Sequence, residues 1–99
     1  MDDRYYAFIV AGLAKEGTEN HVLNFLKELM TKSRQDEGCI IYNIHQSTDN
    51  HQEFVLYSLW ENREAFERHN QTPHMQAFKH ELHKKLFDKE SAKTYWNLL

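Results

Sequence analysis

Cysteine, proline and glycine are scarce in this chain of 99 residues, which contains one, one and three of them. The single cysteine, Cys39, cannot form a disulfide within the chain, so a reducing compartment, the cytoplasm, is expected. No apolar run approaches the roughly 20 residues that a membrane-spanning helix needs. The first four residues also lack the basic-then-apolar order of a signal peptide. These absences predict one cytoplasmic domain over residues 1–99 with no membrane partner.

An excess of positive charge is also missing. The chain carries 12 Lys and Arg residues against 15 Asp and Glu residues, a net charge of -3. Proteins that bind nucleic acid or anionic lipid by electrostatics need a basic surface, so neither partner is expected. The sequence has no Gly-rich phosphate loop and no Gly-x-Ser-x-Gly elbow. Nucleotide cofactor binding by a Rossmann unit is therefore excluded.

What the sequence does contain is an alternation of apolar segments with turn signals. Apolar runs rich in β-branched and aromatic residues predict strands, and apolar residues at helical spacing predict helices. Thr18 can cap the first helix, and Asn62 and Thr72-Pro73 are signals for later helix starts. The predicted elements are strands at residues 5–13, 39–46, 53–60 and 94–99, a helix at 18–35, and helices beginning at Asn62 and Pro73.

This β-α-β-β-α-α-β order predicts an α+β fold, in which a ferredoxin-like antiparallel sheet carries its helices on one face. The last helix places one apolar stripe, Met75, Phe78, Leu82 and Leu86, toward the core. The first and third strands nevertheless carry large apolar residues on both faces, so the second face needs a cover. Since the chain has no further element to supply it, a homodimer that packs sheet against sheet is expected.

Aromatic and histidine side chains gather between residues 36 and 78. His69 falls in the apolar stripe of the short helix, where a histidine is more often a core or wall residue than a catalyst. His74 lies in the first turn of the last helix, where a neutral imidazole is expected because helix N-termini disfavour cations. Tyr42 and Trp60 lie on adjacent strands. They either pack in the core or form the wall of a pocket for a flat aromatic ligand.

Two other features have weaker chemical interpretations. His80 and His83 have an i, i+3 spacing that suits a metal ion, but no third ligand is placed by spacing. A solvated helix face is therefore favoured and no metal site is expected. Cys39 has no neighbouring base in the sequence, so nucleophilic catalysis by its thiol is weakly supported.

Three segments together resemble the antibiotic biosynthesis monooxygenase family, and most closely its small quinol-monooxygenase-like members. They are Glu37-Gly38-Cys39 leading to Tyr42, the apolar strand that ends at Trp60-Glu61, and His69 followed by Thr72-Pro73-His74-Met75. The resemblance implies a dimeric α/β barrel. It also implies, for members that catalyse oxygenation, that a reduced quinol-like substrate supplies the electrons to O₂ without a metal, flavin or haem. No cofactor is therefore expected.

The resemblance implies that His74 is the acid/base residue and that His69 is a wall residue or a second acid/base. The implied substrate-binding residues are Tyr42, Trp60, His69, Ser58 and Phe78. Many relatives carry Glu at the position of Ser58, and a serine cannot serve as a carboxylate base. The haem-degrading branch uses an Asn on the first strand and a His on the last helix. The corresponding residues here are Val10 and Lys79, with His80 one position away, which argues against haem degradation.

The expected function is a cofactor-independent monooxygenase that acts on a quinol or related small aromatic molecule, with O₂ as the second substrate. Two alternatives stay open. A non-redox isomerase of a small metabolite could use the same His74. A dimer that only binds a small molecule needs no catalytic base, and Ser58 slightly favours it.

Overall fold

The computed structural model describes residues 4–85, 87–90 and 93–99, with side chains for all of these except residues 81–85 and 87–90. Within these described residues, three helices and five strands follow one another. They are β1 (Tyr6–Ala14), α1 (Glu19–Ser33), β2 (Cys39–Gln46), β3 (Glu53–Trp60), α2 (Arg63–Asn70), α3 (Pro73–Lys85), β4 (Phe87–Glu90) and β5 (Thr94–Asn97). The predicted α+β class and the order of the predicted elements are confirmed, and β4 is an addition.

All strand pairs in the sheet are antiparallel. The order is β2-β3-β1-β4, and β5 pairs with the first half of β1 on the same side as β4. Because β1 has β3 on one side and β4 with β5 on the other, it is the central strand. None of the helices among the described residues is long and apolar enough to cross a membrane.

The core lies between the helices and one face of this sheet. Strand register sets which residues share that face: Phe8 and Tyr42 are both paired with Ser58, and Tyr6 is paired with Trp60. Trp60 is fully buried, and Phe66 of α2 packs against the same cluster. The sheet face toward the helices is thus built around aromatic residues at the end where β3 leads into α2.

The three helix starts follow the sequence signals. Asn62 caps α2, since its side chain accepts a hydrogen bond from Ala65 N at 2.8 Å. Thr72 precedes Pro73 at the start of α3, and its hydroxyl donates to His69 O at 2.7 Å. Thr18 is the N-cap residue of α1, as predicted, but its side chain makes no capping hydrogen bond to the helix. Its hydroxyl donates backward to Lys15 O at 2.6 Å, within the turn that Gly17 makes with a φ of +88°.

The predicted stripe on α3 can be followed only in part. Met75 and Phe78 pack against the core. The side chains of Leu82 and His83, and the whole of Leu86, lie outside the described residues. His80 is exposed, in keeping with the solvated face expected for it. Of the predicted closing strand at residues 94–99, Thr94–Asn97 form β5.

Candidate functional site

An open cavity of about 130 Å³ lies between the sheet and helices α2 and α3. We call it the main cavity. Its walls are mostly aromatic and aliphatic, and the polar groups among the described lining residues belong to Tyr42, Tyr95, Asn70, Lys79 and Lys93. The lining residues are Phe8, Val10, Tyr42, Leu56, Phe66, Asn70, Met75, Phe78, Lys79, Lys93 and Tyr95.

A second, apolar cavity of about 40 Å³ adjoins the main cavity, toward α1. The two share Val10, Tyr42, Leu56 and Phe78 among their lining residues. Ala11 and Gly12 of β1 line the second cavity, together with Leu26 and Leu29 of α1. Both cavities therefore border the same side chains in the interior between the sheet and the helices.

Tyr42 is the polar residue that both cavities share. Its side chain is 2 % exposed, and its ring meets the edge of Trp60 with centroids 6.3 Å apart. Burial raises the pKa of Tyr42 well above its ordinary value of 10.0, and the nearby Ser33 hydroxyl opposes this only in part. The phenol is therefore a neutral hydroxyl at physiological pH, able to donate or accept a hydrogen bond.

Behind Tyr42, one carboxylate oxygen of Asp36 contacts the imidazoles of His69 and His74. We call these three residues the histidine cluster. His69 Nδ1 lies 2.7 Å from Asp36 Oδ2, and His74 Nε2 lies 2.8 Å from the same oxygen. A carboxylate oxygen can only accept, so each imidazole presents an N–H to it. This assigns the proton to Nδ1 of His69 and to Nε2 of His74, leaving His69 Nε2 and His74 Nδ1 as the basic nitrogens.

The two imidazoles have different surroundings. His69 is 2 % exposed, and its ring lies against Trp60 at 4.5 Å and Tyr42 at 5.4 Å between centroids. Burial lowers the pKa of His69 below its ordinary value of 6.5, and the hydrogen bond that His69 donates to Asp36 opposes this only in part. The side chain of His74 is 15 % exposed and lines a groove between α1 and α3, beside Phe25 and Ala77.

Asp36 reaches the two histidines because the turn after α1 is fixed at several points. Asp36 N donates to Ser33 O, and Cys39 N donates to Asp36 O, each at 3.1 Å. Arg34 ties this turn to β2 by donating from Nε to Tyr42 O at 2.9 Å. Gly38 has a φ of +84°, and a Cβ there would lie 2.5 Å from Ala65 Cβ of α2. Only glycine therefore allows the turn to approach α2 this closely.

The donor set of the histidine cluster could suit a transition-metal ion, because its three ligand atoms lie within 4.8 Å of one another. Around tetrahedral zinc, metal–ligand distances of about 2.0–2.2 Å put neighbouring ligand atoms about 3.3 Å apart. The N···O distances here are 2.7 and 2.8 Å, which are hydrogen-bond lengths. The observed geometry therefore fits a shared carboxylate better than a metal centre, and a metal would require the cluster to widen by about half an ångström.

The structure places the six residues singled out from the sequence in three different settings. Tyr42 and Phe78 line the main cavity. Trp60, Ser58 and His69 are buried behind it, and Trp60 Nε1 donates to Ser58 Oγ at 3.0 Å. His74 lies on the far side of the histidine cluster, facing the groove beside α1. Ser58 is 1 % exposed and supports the indole of Trp60, and it is not among the residues that line the main cavity.

Sequence reasoning missed Asp36 and the polar residues at the cavity mouth. Asp36 is 33 and 38 positions from its two partners, and no periodicity links a turn residue to helices that far along the chain. Lys79 was noted only by comparison with haem-degrading proteins. Lys79 lies four residues after Met75, on the same face of the helix, and this spacing could have indicated that it borders the same cavity.

The sequence model of the antibiotic biosynthesis monooxygenase family matches residues 8–81, which run from the third residue of β1 through most of α3 and include all of the histidine cluster. That match covers well over half of the chain. The chain belongs to the antibiotic biosynthesis monooxygenase family.

Solved structures agree with the antibiotic biosynthesis monooxygenase fold. A protein from Shewanella oneidensis is 20 % identical, with a TM-score of 0.89 over 98 % of this chain and 93 % of its own. A protein from Pseudomonas aeruginosa is 24 % identical, with a TM-score of 0.87 over 97 % of this chain and 95 % of its own. At these identities the likeness establishes the fold.

One curated relative, an uncharacterised protein of Synechocystis sp., is 28 % identical over 72 residues. The match covers 71 % of this chain and 49 % of the relative, so the chain spans about half the length of that protein.

Proposed function

We propose that this protein is a cofactor-independent monooxygenase that acts on a quinol or a related small aromatic molecule. The observation that carries the proposal is the main cavity, whose aromatic walls fit a flat ring and whose polar wall residue, Tyr42, backs onto the histidine cluster. An ionised quinol can reduce O₂ directly, so the protein has to supply a dry pocket, a proton acceptor and a hydrogen-bond donor.

The proposed reaction balances without any added reductant. A naphthohydroquinone and one O₂ give a hydroxynaphthoquinone and one water. One oxygen atom forms a new C–O bond on the ring and the other leaves as water. The ring supplies all four electrons, and the protons of the substrate end in the water and the new hydroxyl.

In this proposal the histidine cluster takes up the proton that the quinol loses. His74 is the proposed acid/base residue: on the groove side it accepts the proton on Nδ1, and Asp36 stabilises the resulting imidazolium through Nε2–H. Because the main cavity lies on the other side of the cluster, the proton has to reach His74 through Tyr42 and His69 or through solvent in the groove. His69 connects the cluster to the wall of the cavity, because its ring lies against Tyr42 and Trp60. The Tyr42 hydroxyl is the donor to the developing peroxide, and Phe78 is a wall for the ring.

Ser58 does not need to act as a base in this arrangement. Its hydroxyl accepts the Trp60 indole N–H, which would otherwise be an unsatisfied buried donor. The serine and the buried indole form one unit that keeps the wall behind Tyr42 rigid.

The proposed active form is a cytoplasmic homodimer that pairs the outer faces of two sheets. On that face β1 and β3 present Ile9 opposite Tyr57 and Ala11 opposite Val55, and Val55 is 38 % exposed. Trp96 of β5 adds a large apolar group that is 56 % exposed. Sedimentation at micromolar concentration should show a species of twice 11.9 kDa, and Val55→Lys should shift it toward monomer. Only an 11.9 kDa species in the unaltered protein would contradict the dimer.

The oxygenase proposal is tested by incubating the protein with reduced naphthoquinones in air and under anaerobic conditions. O₂ uptake above the enzyme-free rate is expected in air, with formation of a hydroxylated product. Substrate loss at the enzyme-free rate in both atmospheres would contradict the proposal. His74→Ala should lower the protein-dependent rate without affecting the background oxidation.

The position of His74 favours one second candidate, a non-catalytic small-molecule-binding protein. His74 lines the groove beside α1, whereas the main cavity is lined from α3 by Met75, Phe78 and Lys79. A binding protein needs the cavity and no base on its wall. Saturable binding with unchanged ligand recovered in air would support this candidate over the oxygenase.

A further inference from the structure

The second cavity, between the sheet and α1, is too small for an aromatic ring. Its volume is about 40 Å³. A cavity needs about 10–15 Å³ to hold a water-sized molecule, whereas an engineered protein cavity that binds benzene has a volume of about 150 Å³. The second cavity therefore has room for a diatomic molecule but not for the ring of a quinol.

Water is a poor occupant of this space because the walls are apolar. Among the described lining residues, Tyr42 supplies the polar side chain, and the other side chains are aliphatic or phenyl groups. An ordered interior water makes about two to four hydrogen bonds to polar groups. A small apolar molecule needs none, and its transfer from water into an apolar space is favourable. The lining therefore favours a small apolar ligand over water.

Gly12 of β1 lines the second cavity and leaves room at its wall. It is the one glycine within the described strands, and it lacks the positive φ that Gly17 and Gly38 have in their turns. Because side chains alternate between the two faces of a strand, a side chain at residue 12 would share the helix-side face with Phe8 and Val10. Glycine weakens a strand interior and often marks a place where a ligand comes close to the backbone.

We propose that the second cavity is the binding site for O₂ in the proposed oxygenase. O₂ is an apolar diatomic molecule, so its size and its polarity both fit the space. The wall that the two cavities share includes Tyr42 and Phe78, so O₂ in the second cavity adjoins a ring in the main cavity. Tyr42, the proposed donor to the developing peroxide, borders both. The inference rests on the oxygenase for the use of O₂, although O₂ binding itself requires no reaction.

Dissolved O₂ is itself the probe for this site, because it is paramagnetic and speeds the relaxation of nearby methyl protons. Methyl spectra of the unaltered protein are compared under O₂ and under argon, with no quinol present. The methyl groups of Leu26 and Leu29, which line the second cavity, should show a larger O₂ effect than those of Val22. Val22 is the internal reference, because it is buried in the same core and is not among the described lining residues.

Two variants fill the second cavity from opposite walls. Gly12→Ala adds one methyl group from β1, and Leu26→Phe adds three carbon atoms from α1. Burial of one CH₂ corresponds to about a fourfold change in affinity, so loss of this room in Gly12→Ala should lower the O₂ effect at Leu29 about fourfold. Leu26→Phe should nearly abolish it. Leu23→Phe is the matched control, because Leu23 packs against the same core from α1 and is not among the described lining residues. Melting curves establish that all variants are folded.

Turnover gives a second measurement. Gly12→Ala should raise the KM for O₂ about fourfold, and Leu26→Phe should raise it further, while the KM for the hydroquinone stays nearly unchanged. Leu23→Phe should leave both values as they are in the unaltered protein.

Equal O₂ effects at Leu26 and Val22 would overturn the inference, as would an unchanged KM for O₂ in a folded Leu26→Phe protein that turns over. The result is separate from the oxygenase proposal. A selective O₂ effect that both filling variants reduce, with no O₂ uptake from any hydroquinone, would keep the O₂ site and remove the reaction. O₂-dependent turnover with no selective effect at the second cavity would do the reverse.

Discussion

Asp36→Asn keeps the size of a side chain and removes the charge that both imidazoles of the histidine cluster meet. A hydrogen bond to a charged group contributes about 1.5–3 kcal/mol and a neutral one about 0.5–1.5 kcal/mol, so each bond weakens by about 1 kcal/mol. His69 is buried and should lose the full difference, while His74 is partly solvated and should lose less. Removing a carboxylate that is 16 % exposed also relieves some desolvation cost. The expected net destabilisation is about 1–2 kcal/mol.

Urea unfolding at neutral pH measures this change. Asp49→Asn is the matched control, since Asp49 lies exposed in the loop between β2 and β3 and should change stability by less than about 0.5 kcal/mol. Nitrogen-detected imidazole spectra should show the proton of His69 on Nδ1 in the unaltered protein and a weakened preference in Asp36→Asn. The reasoning is refuted if both substitutions cost the same, or if His69 carries its proton on Nε2 before any change is made.

Three further predictions concern the support of the site. Ser58→Ala should destabilise the protein by about 1–2 kcal/mol in urea unfolding, because it leaves the buried Trp60 N–H without an acceptor. In a Trp60→Phe background, where that N–H is gone, Ser58→Ala should cause no such loss of stability. Gly38→Ala should cost about 1–3 kcal/mol more than Gly17→Ala, since both have positive φ but only Gly38 would meet a neighbour; equal losses would exclude a clash. In the folded protein the pKa of His69 lies below 6.5, its ordinary value in an unfolded chain. The free energy of unfolding should therefore be highest above about pH 6.5 and should fall as the pH drops from there toward the pKa of the folded state. His69→Gln should flatten this dependence, and an unchanged pH profile would contradict it.

Much of the fold follows from local patterns in the sequence. The alternating residues of β3 give its two faces, and register then brings Tyr42 opposite Ser58 on the helix side. The cap at Asn62 and the start at Pro73 follow from backbone chemistry that a residue and its near neighbours decide. The β4 strand could not be read in this way, because the segment Phe87–Glu90 is mostly charged and pairs only with the last residues of β1.

The candidate site depends on contacts that sequence separation hides. Tyr42, Trp60 and His69 could be grouped as aromatic residues near one end of the sheet, and they do lie together. The shared hydrogen-bond acceptor, Asp36, is placed by a tight turn whose closeness to α2 depends on Gly38 and Ala65 meeting in space. A pattern of residue types cannot give that distance. Nor could it show that His74 faces α1 while Phe78 faces the cavity.

The most direct test of the proposed oxygenation uses ¹⁸O₂ with a naphthohydroquinone and the purified protein, freed of metal by chelation. The account predicts a hydroxynaphthoquinone that carries one ¹⁸O atom, formed faster than in the enzyme-free control, with the second ¹⁸O atom in water. Spontaneous oxidation gives instead the unlabelled quinone and peroxide. Unlabelled quinone at the control rate, with hydrogen peroxide as the only reduced oxygen product, would contradict the account.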